Sequence, residues 1–169
     1  NNKKFTKVVM ADYDKNLNSI ATEVQFGSNE TEITFNKAYG IGAYLDNWYN
    51  ATSESEIYSN NYITEEFKQM IATDLDDVVW YPGPDLGITE TSSYTLAKTG
   101  NPVSATIGLL RYGEMFASQF GSGSSLSEDV WTLSKYSGNK IFNVRYSGRI
   151  ESVDLITTSG VRPSFYLKE

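Results

Sequence analysis

Apolar residues recur at helical spacing through the first 26 positions, a stretch with neither glycine nor proline. At 100° per residue, Val9, Met10, Tyr13, Leu17, Ile20, Ala21 and Val24 fall within an arc of roughly 120°. Lys7, Asp14, Lys15, Asn18 and Thr22 lie outside that arc, and Gly27 follows as a stop. The spacing predicts one amphipathic helix of about 22 residues, about 33 Å long. Its packing stripe is Val9, Tyr13, Leu17, Ile20 and Val24. Each large side chain buried from that stripe is worth ~1.5–3 kcal/mol, enough to hold the helix on a sheet.

Further along, residues 31–35 alternate briefly and read as a strand. Across residues 38–50, Ile41, Tyr44, Leu45 and Trp48 share one helical face, in a helix weakened by Gly40 and Gly42. Residues 53–61 are polar and read as loop. Thr64 is a natural N-cap for a short helix with Glu65 and Glu66 in its first turn and Phe67, Met70 and Ile71 on its buried side. Residues 75–81 read as a strand ended by Pro82-Gly83-Pro84. A strand over 107–110 leads into a helix over 111–120, followed by a flexible Gly/Ser loop at 121–125.

The last 40 residues are the clearest β region. Strands at 130–133, 142–146, 150–156 and 161–167 are separated by Ser-Gly pairs at 137–138, 147–148 and 159–160. Phe142, Val144 and Tyr146 alternate with Asn143 and Arg145, which predicts an apolar inner face and a wet outer face. No internal repeat is visible. The fold class expected is therefore α+β in a single domain, 1–169. Residues 1–26 form a spine helix packed on an antiparallel sheet, 27–169 form the head with short helices in its middle, and 107–169 are its most strand-rich part.

The 169-residue length suits one domain with a real core. The net charge is −7, and the basic residues gather nowhere beyond Lys3, Lys4 and Lys7, so a nucleic-acid partner is not expected. The chain has no Cys and no His. That removes thiol nucleophiles, Ser-His-Asp triads, imidazole or thiolate zinc sites and Cys-x-x-Cys redox pairs. Abundant Asn, Ser, Thr and Tyr favours an extracellular, cell-surface protein. No run of 18 apolar residues spans a membrane. The opening Asn1-Asn2-Lys3-Lys4, without Met, reads as a form from which a preceding segment was removed.

Asp12, Asp14, Asn16 and Glu23 sit at calcium-loop spacing, but Leu17 stands where that loop's sharp turn needs glycine. Asp74, Asp76 and Asp77, with Asp85, are the densest acidic cluster and read as a solvated loop. Lys98-Thr99-Gly100 and the Ser137…Lys140 pair copy penicillin-recognising motifs in inverted order, with Ser137 in a turn. Gly40-Ile41-Gly42 lacks the third glycine of a dinucleotide fingerprint. No pair of acids is marked as a glycosidase pair. The expectation is a non-enzyme with no cofactor and no metal. Trp80, Tyr81, Trp131 and Tyr136 are the candidate ring-stacking residues for a glycan or host-surface ligand, whereas Trp48 reads as core. Arg162, inside a final apolar strand, calls for a buried acid or carbonyl partner, and Glu114 is its expected structural ion-pair mate.

Four segments carry a resemblance. They are Ala43-Tyr-Leu-Asp-Asn-Trp-Tyr49, Ile107-Gly-Leu-Leu-Arg-Tyr-Gly-Glu114, Val130-Trp-Thr-Leu-Ser134 and the ending Gly160-Val-Arg-Pro-Ser-Phe-Tyr-Leu-Lys168. Together they resemble a domain family of unassigned function found in surface and prepilin-like proteins of Gram-positive bacteria. That family looks related to the C-type-lectin and formylglycine-generating architecture. The resemblance implies a scaffold and carries over no catalytic residue, because formylglycine-generating chemistry uses cysteines and the calcium-dependent sugar triplets Glu-Pro-Asn and Trp-Asn-Asp do not occur. The first 26 residues resemble the exposed half of a type IV pilin spine helix. That resemblance implies a structural subunit of an extracellular filament, self-associating and touching the membrane only through an apolar helix upstream. The alternative is a lectin-like carbohydrate- or protein-binding module of a cell-surface protein.

Overall fold

The stretch from Thr158 to Leu167 is the axis around which the chain is organised. In the computed structural model, which describes residues 6–9, 21–27, 39–52, 63–74, 78–82, 102–117 and 129–168, it forms two successive strands. These are β9 (Thr158–Val161) and β10 (Pro163–Leu167), separated by Arg162. Every residue from Ser159 to Phe165 is buried. Pro163 has no N–H to contribute to a ladder and stands first in β10, where that loss costs least.

Two N-terminal strands lie antiparallel along one side of this axis. β1 (Thr6–Val9) pairs with β10, Val9 opposite Ser164, and β2 (Ala21–Gln25) pairs with β9, Ala21 opposite Val161. On the other side, β5 (Gly108–Leu109) is antiparallel to β10, while β6 (Val130–Ser137) runs parallel to β9 through Val130 and Gly160. From β6 the chain meanders through β7 (Lys140–Val144) to β8 (Ile150–Asp154), all antiparallel. The sheets are thus β1-β10-β5 and β2-β9-β6-β7-β8, with a small pair of β3 (Val79–Trp80) and β4 (Val103–Ser104) beside them. A bond from the Leu133 N–H to the Leu110 carbonyl, 2.9 Å, stitches β6 to the end of β5.

Among the described residues the expected N-terminal spine helix is not formed, and the fold is mostly β. Thr6–Val9 and Ala21–Gln25 are strands, so Val9 and Val24 belong to sheets rather than to a helical stripe. Tyr13, Leu17 and Ile20 lie outside the described residues. The physical reason is tertiary. Thr6, Val8, Val9, Thr22 and Val24 are β-branched, and the two C-terminal strands offer them ladders that outweigh the helical period at both of its ends.

Three short helices accompany the sheets among the described residues. In α1 (Gly40–Asn50), Ile41, Leu45 and Trp48 are buried, as the spacing predicts. The Ile41 N–H reaches the Phe26 carbonyl at 2.9 Å, and Gly40, at φ +63°, approaches that carbonyl so closely that a Cβ would lie 2.4 Å from it. α2 (Glu65–Lys68) begins at the expected cap, with the Phe67 N–H donating to Thr64 Oγ1 at 3.3 Å. Lys68 Nζ donates to the Ala51 carbonyl at 3.2 Å and pairs with Glu65, tying α2 to the end of α1. α3 (Tyr112–Ala117) follows β5 directly.

The core sits between these elements and the inner face of the larger sheet. Trp48, Trp80, Trp131 and Phe165 are its largest fully buried members, with Ile41, Leu45, Ile71, Leu109, Leu133, Ile141 and Leu155 filling between them. The Ser-Gly pairs at 137–138 and 147–148 are turns, with Gly138 and Gly148 at positive φ. Ser159-Gly160 is not a turn; both residues are buried inside β9. The expected strands at 31–35 and loop at 121–125 lie outside the described residues.

Candidate functional site

The β6–β8 meander has two faces of different character. Ile141 in β7 is fully buried against the core, and strand alternation then sends Asn143 to the same side. Asn143 faces Trp131 across the ladder and its Nδ2 donates to Ser159 Oγ at 3.4 Å. Phe142 therefore points outward and is only half-buried. This inverts the expected wet face: Asn143 is inside and Phe142 outside.

On the outer face, α3 covers one end of the sheet. Leu110 and Met115 pack there on Val130 and Val144 as a small second core. Beyond that cover lies a row of three rings. Tyr112, first residue of α3, meets Phe142 edge to face at 5.2 Å, and Phe142 meets Tyr136 in the same manner at 5.1 Å. Tyr136 ends the row, 52% exposed. Edge-to-face pairs of this kind contribute about 0.5–1.5 kcal/mol beyond area burial, so the Tyr136 ring is held rather than loose. Cross-strand neighbours add polar groups on the same face: Ser152 opposite Phe142, and Lys140 opposite Asp154. Beside the turn to β8, Arg145 bridges two acids, hydrogen-bonded to Glu151 and 3.5 Å from Asp129. The Glu151 bond and the Asp129 charge raise the Arg145 pKa above its ordinary value. Asp129 also accepts the Tyr146 N–H at 3.0 Å.

The structure separates the four candidate stacking residues. Trp80 is 1% exposed and its Nε1 donates to the Ala105 carbonyl at 2.6 Å. Trp131 is equally buried, its Nε1 donating to the Val24 carbonyl at 2.5 Å, and its ring meets Phe26 edge to face. Both are structural, and neither offers a face to a ligand. Tyr81 is half-buried. Tyr136 alone of the four is exposed and in the ring row. Tyr112 and Phe142 are the members that sequence reasoning missed. The signal was present in the Ile141 parity, since an apolar Ile141 on the core side places Phe142 on the other.

Arg162, between β9 and β10, is buried. Glu114 is half-buried, and its Oε2 accepts the Arg111 N–H at 2.8 Å, which closes the first turn of α3. Its charge also bears on Tyr166, whose hydroxyl is pushed above the usual tyrosine pKa by burial first, then by Glu114 and Tyr81. Of the acidic cluster, Asp74 is exposed, while Asp76, Asp77 and Asp85 lie outside the described residues, as do Asp12, Asp14, Asn16 and the 98–100 motif. Ser137 and Lys140 flank the exposed β6–β7 turn. Gly40 and Gly42 open α1. A shallow cleft between α1 and residues 105–107, lined by Leu45, Asp46, Tyr49 and Thr106, encloses about 20 Å³, room for a water molecule and not for a sugar ring. Comparison with protein-family models, curated proteins and solved structures finds no match for this chain.

Proposed function

We propose that this domain is a non-enzymatic, lectin-like binding module of a cell-surface protein, and that it takes a carbohydrate ring on the outer face of the β6–β8 meander. The observation that carries the reading is the Tyr136–Phe142–Tyr112 row. A half-exposed tyrosine packed on Phe142, which is itself packed on Tyr112, presents an apolar face with little side-chain freedom left to lose on binding. Lys140, Asp154 and Ser152 on the same face supply the few directional polar groups that such a site needs beside its apolar surface. The filament reading does not carry over, because it depended on a spine helix whose ends are strands.

Glycan-array screening followed by titration calorimetry tests the proposal. Tyr136→Ala is expected to abolish retention on the array at a cost of about 1–2 kcal/mol in stability from the lost ring pair, which leaves the domain folded. Tyr136→Phe keeps the ring face and is expected to retain binding. Absence of any retained glycan, or binding indifferent to Tyr136→Ala, refutes the reading.

A further inference from the structure

β8 is the last strand of the five-stranded sheet. The Arg145 N–H donates to the Arg149 carbonyl at 2.7 Å, and the Leu155 N–H to the Asn139 carbonyl at 3.1 Å. In the β7–β8 register these are the hydrogen-bonded pairs, so residues 149, 151, 153 and 155 turn their backbone groups towards β7. Ile150, Ser152 and Asp154 turn theirs away. The Asp154 carbonyl accepts the Thr157 N–H. Among the described residues nothing pairs with the remaining outward groups. Edge strands are commonly guarded by Pro, Lys, a bulge or an inward-pointing charge. β8 has no Pro and no Lys, its register with β7 is regular, and its inward acid, Glu151, is neutralised by Arg145.

From this edge we infer that two copies of the chain pair antiparallel through β8 into one continuous sheet, with Ser152 on the two-fold axis. Backbone parity allows this register, since it places outward-facing residues opposite one another: Ser152 against Ser152, Ile150 against Asp154. Glu151 then stands opposite Val153, so no like charges oppose across the seam. Ile150 and Ile156 flank the strand at 40% and 49% exposure. Ile156 lies past the strand, in the turn that the Thr157 N–H closes on the Asp154 carbonyl, so the ladder across the seam ends at Asp154. A seam of about five residues is smaller than a standard stable interface, so the dimer forms in the micromolar-to-millimolar range. The pairing does not depend on the sugar-binding reading.

Sedimentation equilibrium of the chain from micromolar to millimolar concentration tests it. The expected result is a reversible dimer. Ile150→Asp sets an acid opposite Asp154 twice per dimer and is expected to weaken it about tenfold, while Ile150→Lys sets a cation there and tightens it several-fold. Ser152→Pro removes an outward N–H without touching the β7 ladder and is expected to abolish the dimer. A chain monomeric throughout the range overturns the inference. So does a dimer unaffected by both Ile150 substitutions, or one weakened by both.

Discussion

Gly108 bears directly on Trp80, and replacing it with alanine is the sharpest probe of how the two sheets meet. A Cβ at Gly108 would lie 2.3 Å from Trp80 Cδ2 and 2.5 Å from both Cε2 and Cε3. Ordinary carbon contacts begin near ~3.5 Å, so the ring or the backbone must retreat by about 1 Å. The ring has nowhere to go. It is 1% exposed, its Nε1 holds the Ala105 carbonyl at 2.6 Å, and Tyr166 packs on it at 5.2 Å. Overpacking costs about 1–3 kcal/mol, and a displaced indole that loses its buried partner costs about 1–3 kcal/mol more. Gly108→Ala is therefore expected to destabilise by about 3–5 kcal/mol, or roughly 10–15 °C in Tm for a chain of this length. Urea unfolding followed by tryptophan fluorescence measures it. Trp80→Leu makes room for the methyl group, so the double variant should be clearly less destabilised than the sum of the singles. A Gly108→Ala midpoint within experimental error of the parent, or strict additivity with Trp80→Leu, would refute the argument.

Arg162→Ala removes a long buried side chain at the junction of β9 and β10. It is expected to cost at least about 2 kcal/mol by calorimetry, and an unchanged midpoint would show that Arg162 does not pin the final strand. Trp131→Phe deprives the Val24 carbonyl of its donor. It is expected to cost about 1–2 kcal/mol and to raise hydrogen exchange in β2 before the rest of the sheet; uniform acceleration would argue against a local tie. Tyr166 has a raised pKa in the folded state, chiefly through burial. Above the ordinary tyrosine pKa the unfolded chain releases this proton first and binds fewer protons than the folded one, so stability falls as pH rises through that range. Tyr166→Phe should flatten the fall, and an unaltered alkaline limb would contradict the assignment.

How much of this is legible in the residues depends on whether the deciding contact is local. The middle helices are readable because Ile41, Leu45 and Trp48 repeat at one period, and because Thr64 can cap its own helix. The β6–β7 and β7–β8 turns are readable because Gly138 and Gly148 supply the positive φ they need. The N-terminal error has a different origin. Val9 and Val24 fit a helical arc, yet their strands are held by pairing with Ser164 and Ser159, well over a hundred residues along the chain. One warning was available locally, since Asp12, Asp14, Asn16, Asn18 and Ser19 compete with a helix for their own backbone groups. The candidate site fails for a related reason. Alternation shows that Phe142 and Asn143 take opposite faces, but which face is inside is decided by Ile141 and by Trp131 across the strand. Trp80 and Trp131 have the right chemistry for stacking and are spent on the core. Tyr136, beside a hairpin turn, is not.

The pairing of Thr6 with Leu167 carries a mechanical consequence. The two residues stand side by side at one end of the β1–β10 ladder, which ends at Val9–Ser164; beyond Arg162 a second ladder, β2–β9, runs from Ala21–Val161 to Gln25–Thr158. A load applied between Thr6 and Leu167 falls first on that single terminal pair and peels the ladder open rung by rung, instead of shearing all its bonds together. Resistance in that direction is set by the weakest rung in turn rather than by the sum of them all.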